Sequence, residues 1–179
     1  MKSLRFEKLE LLSAKEKRAR EIEFHPRLTV FNGTNDVGKS SVIKSIYWAL
    51  GANPKSIHRK WRDANVRALL TFSVDGVRHS IMRSGGTFAI FNATDDLLLS
   101  TSSVTKELAP FLAELLNFRL VLASRQNEAE IPPPAYAFLP FYVNQEGSWE
   151  KPLAAFDSLA QYANFREAVI DFHSGILGN

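Results

Sequence analysis

Residues 33–40 read Gly33-Thr34-Asn35-Asp36-Val37-Gly38-Lys39-Ser40, and they carry the strongest signal in the sequence. The pattern G-x-x-x-x-G-K-S is that of a phosphate-binding loop. Glycines allow consecutive backbone amides to converge on an anion, and the helix that follows adds the positive end of its dipole. In such a loop Lys39 reaches the β- and γ-phosphates, and the Ser40 hydroxyl is placed to bind Mg²⁺. The sequence therefore predicts a nucleotide site formed by Asn32, Gly33, Thr34, Asn35, Asp36, Val37, Gly38, Lys39, Ser40 and Ser41.

The residues on either side of the loop favour this interpretation. Residues 28–31 are rich in β-branched and aromatic side chains, which predicts a buried parallel strand that leads into the loop. Apolar residues after the loop recur at helical spacing up to Leu50, and Gly51 and Pro54 then end the pattern. Strand, loop and helix in this order are the context that a phosphate-binding loop requires.

Composition limits the classes of protein to which the chain can belong. Its 179 residues are 45% hydrophobic and include 13 Phe, which predicts one globular lobe with a real core. The net charge of +3 permits a nucleic-acid partner without requiring one. The absence of Cys excludes disulfides and thiolate metal sites, and four scattered His offer no metal cluster. With no apolar run long enough for a signal peptide or membrane span, we expect a cytoplasmic protein without a membrane partner.

Further patterns surround the loop. Residues 3–24 predict two antiparallel strands with a charged turn, and residues 64–92 predict an antiparallel meander with a hairpin at Asp75-Gly76. The triplet Ser84-Gly85-Gly86 lies between two strand-like runs, so we do not interpret it as a helix-opening ABC signature. A helix is predicted over residues 105–118, beginning or kinking near Pro110, followed by a proline-rich loop at 124–134 and a largely helical segment at 152–175.

Residues 55–62 concentrate positive charge around Trp61. A segment of this kind can contact a phosphate backbone, with the aromatic ring stacking on a base or packing beneath the segment. The alternative is a solvated turn whose Trp61 side chain lies in the core. The sequence leaves both interpretations open.

Taken together, the two early strands, the loop from His25 to Ser41 and the helix ending at Gly51 resemble the N-terminal half of an SMC, RecF or RecN ATPase head. These are ABC-type ATPases of chromosome maintenance and DNA repair. The resemblance implies an α/β P-loop NTPase fold with an antiparallel β-subdomain and a helical segment. It also implies ATP and Mg²⁺ as cofactors, ATP-dependent head-to-head dimerisation and DNA binding. In such heads a strand ends in a glutamine that approaches Mg²⁺ and the attacking water; the apolar run 137–143 leads to Gln145, which looks like that residue.

The resemblance divides the lobe into four segments. Residues 1–54 hold the two strands, the loop strand and the first helix, residues 55–122 hold the meander and a covering helix, 123–136 form a loop, and 137–179 hold the glutamine strand and a helical segment. The chain departs from the group at Asp36, where the family usually has Gly; a carboxylate beside phosphates predicts weaker nucleotide affinity.

The chain also lacks the Asp-Glu pair at the end of an apolar strand that the ABC mechanism uses for hydrolysis; Ala168-Val169-Ile170-Asp171 comes nearest, but Phe172 follows. We therefore expect an N-terminal lobe that hydrolyses ATP only when a C-terminal lobe completes it. The stretch after Gln145 and the end around His173 look more like divergent bacterial SMC-like proteins, including Lamassu-type defence ATPases. The alternatives are the nucleotide-binding domain of an ABC transporter, a small phosphotransferase, and a regulatory module that binds nucleotide without hydrolysing it.

Overall fold

The computed structural model of the chain describes residues 1–35, 38–145, 147–148 and 150–176. The backbone divides into two compact units. The sheet unit comprises Lys2–Leu50 and Ile57–Ser102, and the helical unit comprises Met1, Gly51–Ser56 and Ser103–Asn179.

A six-stranded antiparallel sheet, in the spatial order β2-β1-β3-β4-β5-β6, forms the body of the sheet unit. Its strands are β1 (Leu4–Ser13), β2 (Arg18–Glu23), β3 (Arg67–Val74), β4 (Val77–Ser84), β5 (Thr87–Phe91) and β6 (Leu97–Thr101). The antiparallel pair before the loop and the later meander are both confirmed, and they join one sheet because β1 pairs with β3.

Tight turns connect the central strands. Asp75 and Gly76 have φ values of 49° and 83°, which is the backbone of a two-residue hairpin whose twist matches the strands it joins. The triplet Ser84-Gly85-Gly86 turns the chain between β4 and β5, so it does not open a helix. The interpretation against an ABC signature at this triplet is confirmed.

One face of the sheet is apolar and carries the first helix, α1 (Lys39–Ala49). A short second helix, α2 (Arg59–Asp63), follows it in the chain. Alternate residues of β3 are fully buried, and Leu70 lies opposite the equally buried Ile81 of β4. Helix α1 lies against β3 and β4 and buries Ile46 and Tyr47. Its packing on the sheet holds the helix in place, and with it the loop residues at its N-terminus.

Residues 28–31 do not form the predicted strand. The backbone amides before and within this segment bond to nearby side chains instead: His25 N–H donates to Thr29 Oγ1 at 2.8 Å, and Leu28 N–H donates to His25 Nδ1 at 3.3 Å. Leu28 and Val30 are 70% and 75% exposed. A strand needs a neighbouring strand for its hydrogen bonds and for burial of its side chains, and no described strand pairs with this segment.

The helical unit contains short helices and a small hairpin. A single π-helical turn (Val104–Leu108) leads into α3 (Ala109–Leu116), and the two-residue strands β7 (Leu122–Ala123) and β8 (Ala129–Glu130) pair with each other. Helix α4 (Ala135–Phe138), 3₁₀ turns at Leu139–Phe141 and Leu159–Gln161, and α5 (Phe165–Ser174) follow. The predicted start of the covering helix is confirmed, since Pro110 lies in the first turn of α3 and the Ser103 side chain caps the preceding π-turn.

Two other predictions in this unit are wrong. The apolar run 137–143 is not a strand, because residues 135–141 form α4 and a 3₁₀ turn in which Tyr136, Ala137 and Phe138 are buried in succession. A short apolar run cannot be told from a buried helix by its pattern alone. The segment 152–164 is also largely irregular; Leu153, Ser158 and Asn164 have φ values of 55°, 60° and 53°, which an α-helix does not tolerate.

Within the described part of the chain, no helix has the length and apolar character needed to cross a membrane.

Candidate phosphate-binding site

The predicted loop joins helix α1 at Gly38. This glycine has a φ of 89°, in the left-handed region, and its carbonyl accepts the first helical hydrogen bond from Val42 N–H at 3.1 Å. Because Gly38 has no side chain, it cannot cap the helix as Ser or Asp would. The first turn of α1, which includes Ser40 and Ser41, thus follows an exposed loop without a side-chain cap. The positive end of the helix dipole lies at this turn and favours an anion there.

The Lys39 side chain folds back over the loop that precedes it. Its Nζ donates to the carbonyl oxygens of Gly33 at 2.7 Å and Thr34 at 2.6 Å. At the entrance of the loop, Gly33 N–H donates to Asn32 Oδ1 at 2.8 Å. A single ammonium group thus joins the start of the helix to the start of the loop, and the oxygens of an anion can take the place of the two carbonyls.

Gln145 falls in a different unit from the described residues of the loop. Gln145 lies in the helical unit, whereas Asn32–Asn35 and Gly38–Ser41 lie in the sheet unit. Gln145 is an exposed turn residue that follows the 3₁₀ turn Leu139–Phe141 rather than a strand. Asp36 and Val37 lie outside the described residues, so the expected effect of Asp36 on affinity stays a prediction.

The structure resolves the question about Trp61. Residues Arg59–Asp63 form a short helix, α2, and the Trp61 ring packs edge to face on Trp48 of α1 with 4.9 Å between ring centroids. Its indole Nε1–H donates to Ser45 Oγ at 3.1 Å. Trp61 therefore anchors α2 on α1 and is not free to stack on a base. Arg59, Lys60 and Arg62 stay exposed.

A charged hairpin turn adjoins α2. Lys15 Nζ donates to the carbonyl of Asp63 at 2.7 Å, and Ser13 Oγ donates to the carbonyl of Ala64. The exposed cations of the turn and of α2 form what we call the basic surface, made of Lys15, Lys17, Arg18, Arg59, Lys60 and Arg62.

Sequence reasoning did not single out Arg83, which supports the far end of α1. Its guanidinium lies 4.2 Å from the centre of the Trp48 ring and 4.8 Å from that of Phe88. It donates to the Trp48 carbonyl at 2.6 Å and to the Gly85 carbonyl at 3.0 Å. Burial lowers the pKa of Arg83 to about 10, so the group is still protonated at neutral pH. The sequence does contain a signal for this role, because Arg83 falls on the buried face of β4, opposite Ala68.

Other features of the described residues do not add to the site. A cavity of about 440 Å³ lies in the helical unit and is lined by Ser124, Arg125, Gln126, Glu130, Ser158, Ala160, Gln161 and Tyr162, none of which the sequence singles out. No group of three or more His, Asp or Glu residues in the described part of the chain is arranged to hold a metal ion.

The geometry defines a candidate phosphate-binding site: a glycine loop, a lysine within it and the N-terminus of an 11-residue helix. No protein-family profile matches the chain. Among curated proteins it is similar to the Lamassu protein LmuB of Bacillus cereus strain VD014, with 27% identity over 179 residues. It is also similar to the Lamassu protein LmuB of Bacillus sp. strain NCIM 5461, with 27% identity over 143 residues.

These similarities cover most of this chain but a minor part of the relatives. The first covers 99% of the chain and 31% of the relative, and the second covers 78% and 24%. The chain thus spans less than a third of the length of the curated relatives it matches. The comparison supports a link to Lamassu proteins.

Proposed function

We propose that the chain is the ATP-binding N-terminal lobe of an SMC-like ATPase of the Lamassu type, acting in anti-phage defence in the cytoplasm. The observation that carries this proposal is the Lys39 ammonium, held inside a glycine loop at the start of α1. The similarity to the LmuB proteins supports the defence role. In this proposal the full-length protein couples ATP-dependent dimerisation of two heads to DNA binding.

The residues of the loop fit a nucleotide with Mg²⁺. Lys39 would leave the carbonyls of Gly33 and Thr34 for phosphate oxygens, and the amides of the first turn of α1 would donate to the same group. Ser40, in that turn, would contribute its hydroxyl to the metal. Bound Mg²⁺ neutralises charge on the phosphates during phosphoryl transfer. The resemblance to SMC-type heads implies that the side-chain oxygen of Gln145 would approach Mg²⁺ and the attacking water.

A C-terminal lobe would complete the enzyme in this proposal. The relatives are about three times as long as this chain, which leaves room for such a lobe in a protein of their length. Leu28 and Val30, 70% and 75% exposed directly before the loop, offer apolar side chains for it to cover.

The basic surface would contact DNA. It holds six exposed cations against two carboxylates, Glu16 and Asp63. Asp63 forms an ion pair with Arg59 at 3.5 Å. The cations still outnumber the carboxylates, so the net charge of the surface is positive. Clustered cations of this kind bind the phosphate backbone without reading its sequence.

Nucleotide binding by the purified chain tests the proposal. Lys39→Ala removes the ammonium and should weaken Mg·ATP binding at least tenfold in isothermal titration calorimetry. Lys106→Ala, which removes an exposed lysine of the helical unit, is the matched control and should bind ATP as the unaltered chain does. Equal ATP binding by all three proteins, or none by the unaltered chain, would refute a nucleotide site at this loop.

Turnover distinguishes a lobe that needs completion from a self-sufficient enzyme. We expect the isolated chain to bind ATP but to release negligible phosphate, because the described residues include no Asp-Glu pair after an apolar strand. Turnover that disappears in Lys39→Ala would mean that the catalytic base lies within this chain. Binding without turnover in the full-length parent would favour the regulatory module.

DNA binding is tested through its dependence on salt. Lys60→Ala and Arg62→Ala should each weaken binding to double-stranded DNA and reduce the slope of log K against log salt by about one. Arg119→Ala removes an exposed arginine of the helical unit and serves as the control. If the control weakens binding as much as the two variants do, DNA does not use the basic surface.

A further inference from the structure

Two hydrogen bonds connect α2, which carries three residues of the basic surface, to the first turn of α1. Trp61 of α2 donates its indole N–H to Ser45 Oγ at 3.1 Å, and Ser45 Oγ donates to the carbonyl of Ser41 at 2.7 Å. Ser41 follows Ser40 in the first turn of α1. The path from α2 to the candidate phosphate site is therefore Trp61, Ser45 and Ser41, with no gap.

The two hydrogen bonds of this path depend on each other because they share Ser45 Oγ. Ser45 is fully buried, so water cannot readily replace either of its hydrogen bonds. Its hydroxyl accepts from the indole and donates to the carbonyl, and successive hydrogen bonds of this kind polarise each other. A change at the Ser41 carbonyl alters the strength of the bond that Trp61 makes.

Helix α2 is sensitive to such a change. It has five residues, none of them buried, and a helix of that length is not stable in isolation. The Trp61 contacts with Ser45 and with the Trp48 ring hold it on α1, while Lys15 and Ser13 hold its last turn. The positions of Arg59, Lys60 and Arg62 therefore depend on the contacts that Trp61 makes with α1.

We infer that the Trp61–Ser45–Ser41 chain couples occupancy of the phosphate site to the affinity of the basic surface for DNA. An anion at the N-terminus of α1 reorients the peptide groups of the first turn, and the chain passes this change to α2. The inference rests on the proposed function, because it requires both nucleotide and DNA to bind this chain. Trp61 and Ser45 act as positioning residues and touch neither ligand.

Coupling of this kind is reciprocal and measurable. If Mg·ATP raises the affinity for DNA by some factor, DNA raises the affinity for Mg·ATP by the same factor, typically about fivefold or more. Trp61→Phe keeps an aromatic ring against Trp48 but removes the N–H donor. It should leave each affinity, measured alone, within about twofold, and bring the coupling factor close to one.

The test combines binding with a spectroscopic signal from the path itself. The chain, labelled with ¹⁵N-tryptophan, has three indole resonances, and the spectrum of Trp61→Phe identifies that of Trp61 by its absence. Mg·ATP should shift the Trp61 resonance in the unaltered chain and shift it much less in Ser45→Ala. Ser100→Ala, at an exposed serine of β6, should respond like the unaltered chain.

The outcomes separate this inference from the function on which it rests. Absence of Lys39-dependent ATP binding refutes both. Normal binding of ATP and DNA with a coupling factor of one, with an unmoved Trp61 resonance, or with full coupling retained in Trp61→Phe, refutes the inference and leaves the proposed function intact. Coupling lost in Trp61→Phe and Ser45→Ala but kept in Ser100→Ala supports it.

Discussion

Gly38 stands where the loop becomes a helix, and its φ of 89° is a conformation that residues with a side chain rarely adopt. A Cβ added at Gly38 would meet no atom within 4 Å, so the cost of a substitution comes from the backbone alone. At the scale of single residues, the loop thus requires glycine for its turn rather than for space.

Gly38→Ala should therefore lower the free energy of unfolding by about 1 to 2 kcal/mol, the cost of a left-handed backbone for a residue with a Cβ. Gly86→Ala is the matched control, because Gly86 has equal space but no positive φ, and it should change stability by less than about 0.5 kcal/mol. Urea denaturation measures both. Equal losses in the two variants would show that backbone strain is not the cause.

Arg83 is the second residue on which the α1 region depends. Arg83→Ala should destabilise the chain by about 2 to 3 kcal/mol, because it removes two charge-assisted hydrogen bonds and two cation–π contacts and leaves the Trp48 carbonyl without this donor. Arg78→Ala, at an exposed position of the same strand, should cost less than about 0.5 kcal/mol. Thermal and urea denaturation would contradict the prediction if both arginines proved equally dispensable.

At the scale of elements, α5 places the half-buried His173 ring among aromatic rings. The His173 ring stacks on Phe118 at a centroid distance of 5.9 Å and meets Phe141 edge to face at 5.2 Å. Among the described residues its Nε2 has no hydrogen-bond partner. Burial, and then the charge of the N-terminus, lower the pKa of His173 below its usual 6.5.

This shift predicts a dependence of stability on pH. Because the folded chain binds the proton less well than the unfolded chain, stability is retained above about pH 6.5 and falls as the pH drops below it. His173→Phe should abolish that part of the slope between about pH 6.5 and 5.5, where few carboxylates titrate. Urea midpoints measured across this range test the prediction, and an unchanged slope in the variant would contradict it.

At the scale of the whole molecule, the segment before the loop exposes apolar side chains that belong to no described strand. Residues 28–31 carry strand-forming side chains, yet Leu28 and Val30 are largely exposed and no described strand pairs with them. In the proposed function, a C-terminal lobe covers the exposed apolar side chains of this segment.

Val30→Lys should consequently leave the stability of the isolated chain within about 0.5 kcal/mol, since the side chain is 75% exposed. The same change should abolish association with a separately expressed C-terminal part of the parent protein, because a charge would enter a covered apolar surface. Val121→Lys, at a 54% exposed valine of the helical unit, is the control for association in a pull-down assay. Unimpaired association of Val30→Lys would show that this segment is not covered.

Features that depend on neighbouring residues could be predicted from the sequence. The glycines of the loop, the helix after it, the Asp75-Gly76 turn and the alternation along β3 follow from local sterics and side-chain periodicity. The described residues of the loop lie together for that reason. The sequence also indicated the role of Pro110 at the start of α3.

Features that depend on residues distant in the chain could not be predicted in this way. Residues 28–31 are not a strand because a strand requires hydrogen bonds from a neighbour. Residues 135–141 form a helix and a 3₁₀ turn instead of a strand, and the consecutive side chains from 135 to 139 are buried. The indole N–H of Trp61 donates to Ser45, a residue of another helix, rather than facing a base or solvent. Such contacts depend on which surfaces meet, and local pattern does not contain that information.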